Sequence, residues 1–402
     1  MKITITQKSD VRNLWIVWGV VLLVVCLIGV FTGFSRTVTG AYAAGAHRWL
    51  GGENLYGEGI HGFLYLPQAA ISYIPFAKLP HVMGEVLWRV VTILSFAGGV
   101  WYLTRCIKQL SKVEMFPIVS LVSLPLFFDS ARNGQMTLLL AACMMMAVYE
   151  LANERLWRVV LWCMLGLALK PLMLVVVLLI GALYPKTIWR LGAGVVGLAF
   201  VPVLFGGANY AIDQYVNFVH KADMASDSNL IEAYGYADFF GMLRCFSVNI
   251  SQEIQTIVRI VFAAVTLVFC WLAKKRWGNV MGGVMVLGFS VVYLMLFNPR
   301  TELNTYSMLS VVLGVFAGGA FLCQRKLWTG VLLVLCMVFA AGSYEFTKMI
   351  TPGRNVWLAP LVTTGFAAYL MYLVLANKKP IYSNSSECEK VEEKEIIFSS
   401  SS

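Results

Sequence analysis

The feature that most constrains this chain is the recurrence of apolar runs long enough to cross a lipid bilayer. Residues 14–34, "LWIVWGVVLLVVCLIGVFTGF", carry no charged side chain, and about 20 apolar residues in a helix span the ~30 Å hydrocarbon core. Similar runs recur along the sequence, which is 59% hydrophobic and only 13% charged. A soluble protein of this length needs far more polar surface. The sequence therefore predicts an all-α, polytopic transmembrane helical bundle.

The placement of Lys and Arg predicts how the bundle lies in the membrane. The basic clusters between apolar runs are Arg105/Lys108/Lys112, Arg155/Arg158, Lys186/Arg190, Lys274/Lys275/Arg276, Arg325/Lys326 and Lys378/Lys379. Cytoplasmic loops are enriched in such residues. We therefore expect about 10–13 transmembrane helices in the inner (cytoplasmic) membrane, with both termini cytoplasmic. None of these clusters has the density of a nucleic-acid patch, so no nucleic-acid partner is expected.

The same basic clusters divide the apolar runs into pairs, and the two runs of each pair are joined by a turn on the outer side. Runs at 253–273 and 279–297 flank the Lys274/Lys275/Arg276 cluster. The longest polar loop joins the run at 188–205 to the run at 253–273 and is predicted to lie outside. Residues 1–379 are predicted to form a single membrane domain. Residues 380–402, a polar, serine-rich segment, are predicted to be a disordered cytoplasmic tail.

Two segments do not fit simple crossings. Residues 156–184 are apolar with basic flanks at both ends, yet Lys170-Pro171 lies in the middle, which predicts two short helices that meet near Lys170. Residues 63–80 contain three prolines. This pattern predicts a broken or re-entrant segment, which is tolerated in a membrane only where it is buried in protein or lines a cavity.

The polar residues expected on the outer face include the stretch 294–310, "LMLFNPRTELNTYSMLS". Arg300 and Glu302 either neutralise each other at a short turn or face a polar site at the membrane surface. The first loop, residues 36–62, is a second candidate region. There Tyr42, Ala46 and Trp49 fall at helical spacing, which predicts an interfacial helix that ends at Gly51-Gly52.

A carboxylate beside fixed cations at a bilayer is compatible with sugar transfer from a lipid-phosphate sugar. The carboxylate removes the proton of the acceptor hydroxyl, and the cations stabilise the departing phosphate. The nine cysteines are scattered without metal-ligand spacing, and the carboxylates are few and dispersed. Neither a metal site nor a cofactor is expected.

Several motifs resemble the family-87 glycosyltransferases, in that family's order. They are "FLYLP", "PFAKLP", "LWR", "RNGQ", "LGLALKPL", "YADFFGMLR" and "LFNPRTELNTY", between about residues 36 and 310. The resemblance implies a GT-C fold with an outward-facing active site. It also implies a polyprenyl-phosphate sugar donor, as in mannosyl- and arabinosyltransferases, and inversion at the anomeric carbon. The family's usual aspartate in the first loop is missing, because the nearest position is Val38 or a flanking threonine, and the first acid after Ser35 is Glu53.

These considerations give a set of candidate site residues. Glu302 is the first candidate for the catalytic base, before Asp129 and then Glu53. The predicted ligands of the donor phosphate are Lys170, Arg132 and Arg300. The predicted substrate-binding residues are Asn133, Gln135, His61, Tyr65, Asn304 and Tyr306.

The predicted partners are the polyprenyl-phosphate sugar, a lipid or glycan acceptor of the cell envelope, and membrane lipids. Two other classes of function stay open at this point. A broken segment and an intramembrane lysine also occur in transporters and flippases of lipid-linked sugars. The missing loop aspartate would also suit a non-catalytic member of the family.

Overall fold

The computed structural model describes residues 8–57, 62–225, 235–351 and 355–382, and the regular structure in these ranges is helical throughout. Numbered in chain order, the α-helices are α1 (Lys8–Phe31), α2 (Thr39–Gly51), α3 (Pro67–Ala77), α4 (His81–Ser111), α5 (Phe116–Arg132), α6 (Thr137–Ala152), α7 (Leu156–Leu169), α8 (Leu174–Leu183), α9 (Ile188–Gly206), α10 (Ala208–Ala225), α11 (Phe239–Cys245), α12 (Gln252–Phe297), α13 (Ser307–Gly318), α14 (Leu327–Ala341), α15 (Ser343–Ile350) and α16 (Leu358–Leu375). Short 3₁₀ segments occupy Pro171–Met173, Pro185–Thr187 and Leu303–Tyr306, and a π-helical turn at Gly319–Cys323 extends α13.

The predicted polytopic helical bundle is confirmed. Within the described residues, 6 helical segments are long and apolar enough to cross a membrane, and α14 with α15, bent by 76°, would make a seventh. The 6 segments are Val11–Phe31, His81–Ser111, Pro185–Gly206, Gln252–Phe297, Leu303–Cys323 and Leu358–Leu375. Three shorter apolar helices accompany them. The protein is thus a multi-pass membrane protein, and the expected total of about 10–13 transmembrane helices stays a prediction.

The longest helix, α12, consists of two antiparallel arms. At Gly278 the backbone has φ 82° and ψ −176°, a conformation that glycine adopts without steric cost. Arg259 Nε donates to the carbonyl of Phe297 at 3.1 Å, so the start of the first arm lies beside the end of the second. The prediction of two separate runs that flank the basic cluster is confirmed.

Helices α7 and α8 form a hairpin with Lys170 at its tip. Proline disfavours helical geometry in the residue before it, and Lys170 is extended, with φ −144° and ψ 131°. The helices have 14 and 10 residues, or about 21 and 15 Å, less than the ~30 Å core. At the tip, Lys170 contacts Thr137 at the start of α6, and at the base the carbonyl of Leu183 accepts from Lys274. The predicted pair of short helices is confirmed.

One end of the bundle, here called the basic end, gathers the predicted basic clusters. Arg155 and Arg158 lie 3.6 and 3.7 Å from Glu150 at the end of α6. The side chain of Arg276 donates to the carbonyl of Val374 at the end of α16, so that helix also ends there. The clusters therefore share an end, and the tip of the α7–α8 hairpin lies at the other.

The region of the first loop has a small core of its own. Tyr42, Ala46 and Trp49 are buried on one face of α2, and Gly52 ends the helix in the left-handed conformation, at φ 69°. The predicted helix is therefore confirmed. In the same core the rings of Tyr73 and Trp88 meet edge to face at 4.9 Å. The segment 63–80 holds only α3, of 11 residues, about 16 Å long, as predicted for a segment that does not cross.

Helix α10 occupies part of the segment that the sequence predicts to be a polar loop on the outer side. Two of its polar residues point inward: Gln214 accepts from the backbone N–H of Leu55 at 2.9 Å, and Lys221 donates to the carbonyl of Gly57 at 2.7 Å. The exposed surface of α10 carries Ile212, Val216 and Val219 together with the polar residues Asp213, His220 and Asp223. A helix whose exposed surface mixes apolar and charged residues suits the interface between membrane and water, and its polar residues explain why its composition is typical of a loop.

Candidate active site

A cavity of about 480 Å³ opens at the end of the bundle opposite the basic end. It is built by the start of α2, the chain before α3, the α5–α6 turn, the tip of the α7–α8 hairpin and the link between α12 and α13. Its lining residues are Thr37, Val38, Ala41, Tyr42, Gly62, Leu64, Tyr65, Gln135, Lys170, Pro171, Leu172, Asn298, Arg300, Glu302 and Thr305. The cavity thus brings together Glu302, Lys170, Arg300, Gln135 and Tyr65 from the predicted set.

Lys170 reaches this cavity while it is almost fully buried, with 9% of its surface exposed. Its Nζ donates to Thr137 Oγ1 at 2.6 Å and lies 5.9 Å from the centre of the Tyr65 ring. Burial of an ammonium group inside a membrane protein costs a few kcal/mol. An anion bound in the cavity would offset that cost.

Arg300 and Glu302 lie on a short link, residues 298–303, whose turn is held by hydrogen bonds. The hydroxyl of Thr301 donates to the carbonyl of Asn298 at 2.9 Å, and the carbonyl of Thr301 accepts from the N–H of Ala237 at 2.8 Å. The Arg300 guanidinium lies 5.4 Å from the centre of the Tyr236 ring. Glu302 is exposed to the cavity. This backbone holds a cation and a carboxylate at one wall.

Tyr42 forms another part of the wall. Its hydroxyl accepts from the N–H of Met136 at 3.3 Å. Burial raises the pKa of Tyr42 well above its usual value, and the neighbouring Tyr65 and the charge of Glu302 add to that shift. The Tyr42 hydroxyl therefore keeps its proton at neutral pH and offers a neutral hydrogen-bond donor.

Three predicted substrate-binding residues, Asn133, Asn304 and Tyr306, form hydrogen bonds within the protein. Asn133 Nδ2 donates to Asn304 Oδ1 at 3.2 Å, which ties the end of α5 to the 3₁₀ segment after the link. Tyr306 is fully buried and its hydroxyl donates to the carbonyl of Ala237 at 2.9 Å. None of the three is among the described residues that line the cavity. Their contacts hold the link in place, and their predicted role in binding substrate stays a prediction.

The remaining predicted residues lie elsewhere. Asp129 is exposed in the last turn of α5, and Glu53 is exposed after α2, where its carbonyl accepts from the Tyr210 hydroxyl at 2.6 Å. The carbonyl of Arg132 accepts from Arg89 at 2.7 Å. The described cavity lining includes none of these three predicted residues. His61 lies outside the described residues.

Sequence reasoning missed a buried ion pair behind the cavity. Glu85 and Arg89, one helical turn apart in α4, are 4% and 0% exposed and pair with each other. Glu85 also accepts from the hydroxyls of Thr37, at 3.2 Å, and Thr39, and Thr37 lines the cavity. The pair therefore fixes the start of the α2 wall. The sequence signal for this ion pair is the presence of two charged residues in an otherwise apolar helix.

Asp238, the acidic residue of the "YADFFGMLR" motif, caps α11. Its side chain accepts from the N–H of Gly241, and Arg244 lies 3.8 Å away. Burial raises the pKa of Asp238 to about 6. Asp238 does not appear among the described lining residues of the cavity, so its contacts are those of a helix cap.

The fold and this site define a class of protein: a multi-pass membrane protein with a cavity that combines a carboxylate and two cations at one end of its bundle. Residues 63–296, more than half of the chain, match the family model described as Glycosyltransferase family 87. The chain therefore belongs to glycosyltransferase family 87 and is a membrane glycosyltransferase that works between a sugar donor and an acceptor. No curated protein and no solved structure gives a match.

Proposed function

We propose that this protein transfers a mannose-like hexose or a pentose from a polyprenyl-phosphate donor to an envelope lipid or glycan, on the outer face of the inner membrane. The observation that carries the proposal is that Lys170, Arg300 and Glu302 line one cavity. A phosphate of a lipid-linked donor would be held by the two cations. A carboxylate in the same cavity supplies a base for the acceptor hydroxyl.

The reaction follows from this arrangement. The acceptor oxygen attacks the anomeric carbon while its proton passes to a carboxylate oxygen of Glu302. The bond between the anomeric carbon and the phosphate oxygen breaks, and its electron pair stays with the departing lipid phosphate. Negative charge grows on that phosphate in the transition state, where Lys170 and Arg300 stabilise it. The lipid-linked sugar is the co-substrate, and no step requires a further cofactor.

The distribution of basic residues supports an outward-facing site. Lys274 and Arg276 bond carbonyls at the ends of α8 and α16, at the basic end. Lys and Arg accumulate on the cytoplasmic side of membrane proteins. The cavity lies at the opposite end, which supports an active site on the outer face.

The proposal is tested with purified protein in lipid, a panel of radiolabelled polyprenyl-phosphate sugars and cell-envelope lipid extract. Glu302→Gln keeps the size and hydrogen bonding of the side chain but removes the base, so turnover is expected to fall by about 10²–10⁴-fold. Asp129→Asn is the matched control, because Asp129 is exposed and is not among the described lining residues of the cavity. Its turnover is expected to stay near that of the wild type.

Other outcomes would redirect the proposal. Turnover that survives Glu302→Gln and fails in Asp129→Asn would move the base to Asp129. Movement of the lipid-linked sugar across a proteoliposome membrane, with no new glycolipid and no donor hydrolysis, would replace transfer by transport.

A further inference from the structure

A second cavity, of about 320 Å³, lies beside the first, and Glu302 lines both. Its other described lining residues are Gly235, Tyr236, Ala237, Thr301, Leu303 and Val356. The two linings differ in charge. Lys170 and Arg300 line the first cavity, whereas Glu302 is the one charged residue among the described residues of the second. An anion is therefore disfavoured in the second cavity.

The link at residues 298–303 forms the wall between the two cavities. Arg300 lines the first cavity, and its guanidinium packs on the ring of Tyr236, which lines the second. The N–H of Ala237 donates to the carbonyl of Thr301. Because these contacts fix the link, Glu302 lies at the boundary of both cavities and is available to groups in either.

We propose that the second cavity is the acceptor subsite and takes a neutral, hydroxyl-bearing ring, such as a sugar or cyclitol unit. The inference rests on the proposed function. Binding sites for small molecules combine a mostly apolar lining with a few polar groups and start at about 300 Å³. Tyr236, Leu303 and Val356 supply an aromatic ring and apolar surface for the carbon face of such a unit. Glu302 supplies the acceptor of its hydroxyl proton.

This arrangement separates the nucleophile from the leaving group. The acceptor hydroxyl approaches from the second cavity, and the phosphate departs towards Lys170 and Arg300 in the first. The new bond forms between the acceptor oxygen and the anomeric carbon as the bond to phosphate breaks, and the hydroxyl proton moves to Glu302. Attack and departure on opposite faces of the carbon invert its configuration.

The test measures ring binding without relying on turnover. Saturation-transfer NMR is recorded on the full chain in nanodiscs with methyl α-mannoside, methyl β-glucoside and myo-inositol as probes. Val356→Trp fills the second cavity, and Leu172→Trp, the matched control, fills the first. At least one probe is expected to bind the wild type and Leu172→Trp, and its signal is expected to fall about tenfold in Val356→Trp, which loses the space for the ring.

A second pair covers a failure of Val356→Trp to fold, which a thermal melt would reveal. Tyr236→Phe keeps the ring and is expected to keep the signal, whereas Tyr236→Leu is expected to lose it. Binding that persists in Val356→Trp, disappears equally in Leu172→Trp, or is absent from the wild type would overturn the proposal. Ring binding in the second cavity without turnover of any polyprenyl-phosphate sugar would instead count against the proposed transfer reaction.

Discussion

For Lys170, the free-energy cost of burying its ammonium group is connected with its proposed role of binding the donor phosphate. It is nearly buried at the tip of the α7–α8 hairpin, and its contacts are the Thr137 hydroxyl and the face of Tyr65. Lys170→Met removes the cation from the departing phosphate, so kcat is expected to fall by about 10²–10³-fold. Steady-state kinetics with a polyprenyl-phosphate sugar measures this effect.

The stability of Lys170→Met distinguishes a role of Lys170 in catalysis from a role in holding the fold together. Removal of a buried charge costs no stability where an apolar side chain fills the same space, so Lys170→Met is expected to melt at or above the wild-type temperature. Lys170→Arg keeps the charge and is expected to retain activity within about tenfold. A Lys170→Met enzyme with unchanged kcat would contradict the assignment of Lys170 to the phosphate.

At the residue scale the sequence predicted the cavity in part. Lys170, Arg300 and Glu302 were recognisable because charges are rare in apolar surroundings, and all three line one cavity. The hydrogen bond between Glu85 and Thr37 was not recognisable in the sequence, because it joins residues 48 positions apart in the chain. Asn133 and Asn304 bond each other, and a polar motif in a sequence does not distinguish such use from substrate binding.

At the scale of the helices, α11 is capped by Asp238, whose raised pKa predicts that the stability of the protein depends on pH. Asp238 is buried, and its pKa of about 6 lies above the usual 3.8, so the folded state holds this proton more tightly than the unfolded chain. The stabilisation is full below the unfolded pKa of 3.8 and is lost as pH rises through about 6. About two pKa units correspond to about 3 kcal/mol.

Asp238→Asn isolates this effect, because asparagine keeps the cap acceptor and does not titrate. Relative to wild type, the variant is expected to gain stability between about pH 4 and pH 6 and to hold that gain above. Thermal melts in one detergent across this range measure it. A difference between the two proteins that does not change with pH would show that Asp238 titrates alike in both states.

The sequence predicted the hairpins but not the helix between α9 and α11. Pro171 and the Lys274/Lys275/Arg276 cluster interrupt apolar runs in the sequence, and the backbone breaks at Lys170 and Gly278 lie beside them. Helix α10 has no such signal. Gln214 and Lys221 bond the backbone of the first loop, and only the tertiary structure reveals that Ile212, Val216 and Val219 are exposed.

For the whole molecule, the proposed reaction requires that the cavity and the basic end lie on opposite sides of the membrane. Single cysteines test this requirement in a background without the native cysteines. Asp129→Cys places an exposed thiol at the end that carries the cavity, and Lys326→Cys places one at the basic end. A membrane-impermeant maleimide added to whole cells is expected to label the first and to spare the second until the membrane is permeabilised. Labelling of Lys326→Cys alone in whole cells would place the cavity on the cytoplasmic side, where a cytoplasmic sugar donor would have direct access to Lys170 and Arg300.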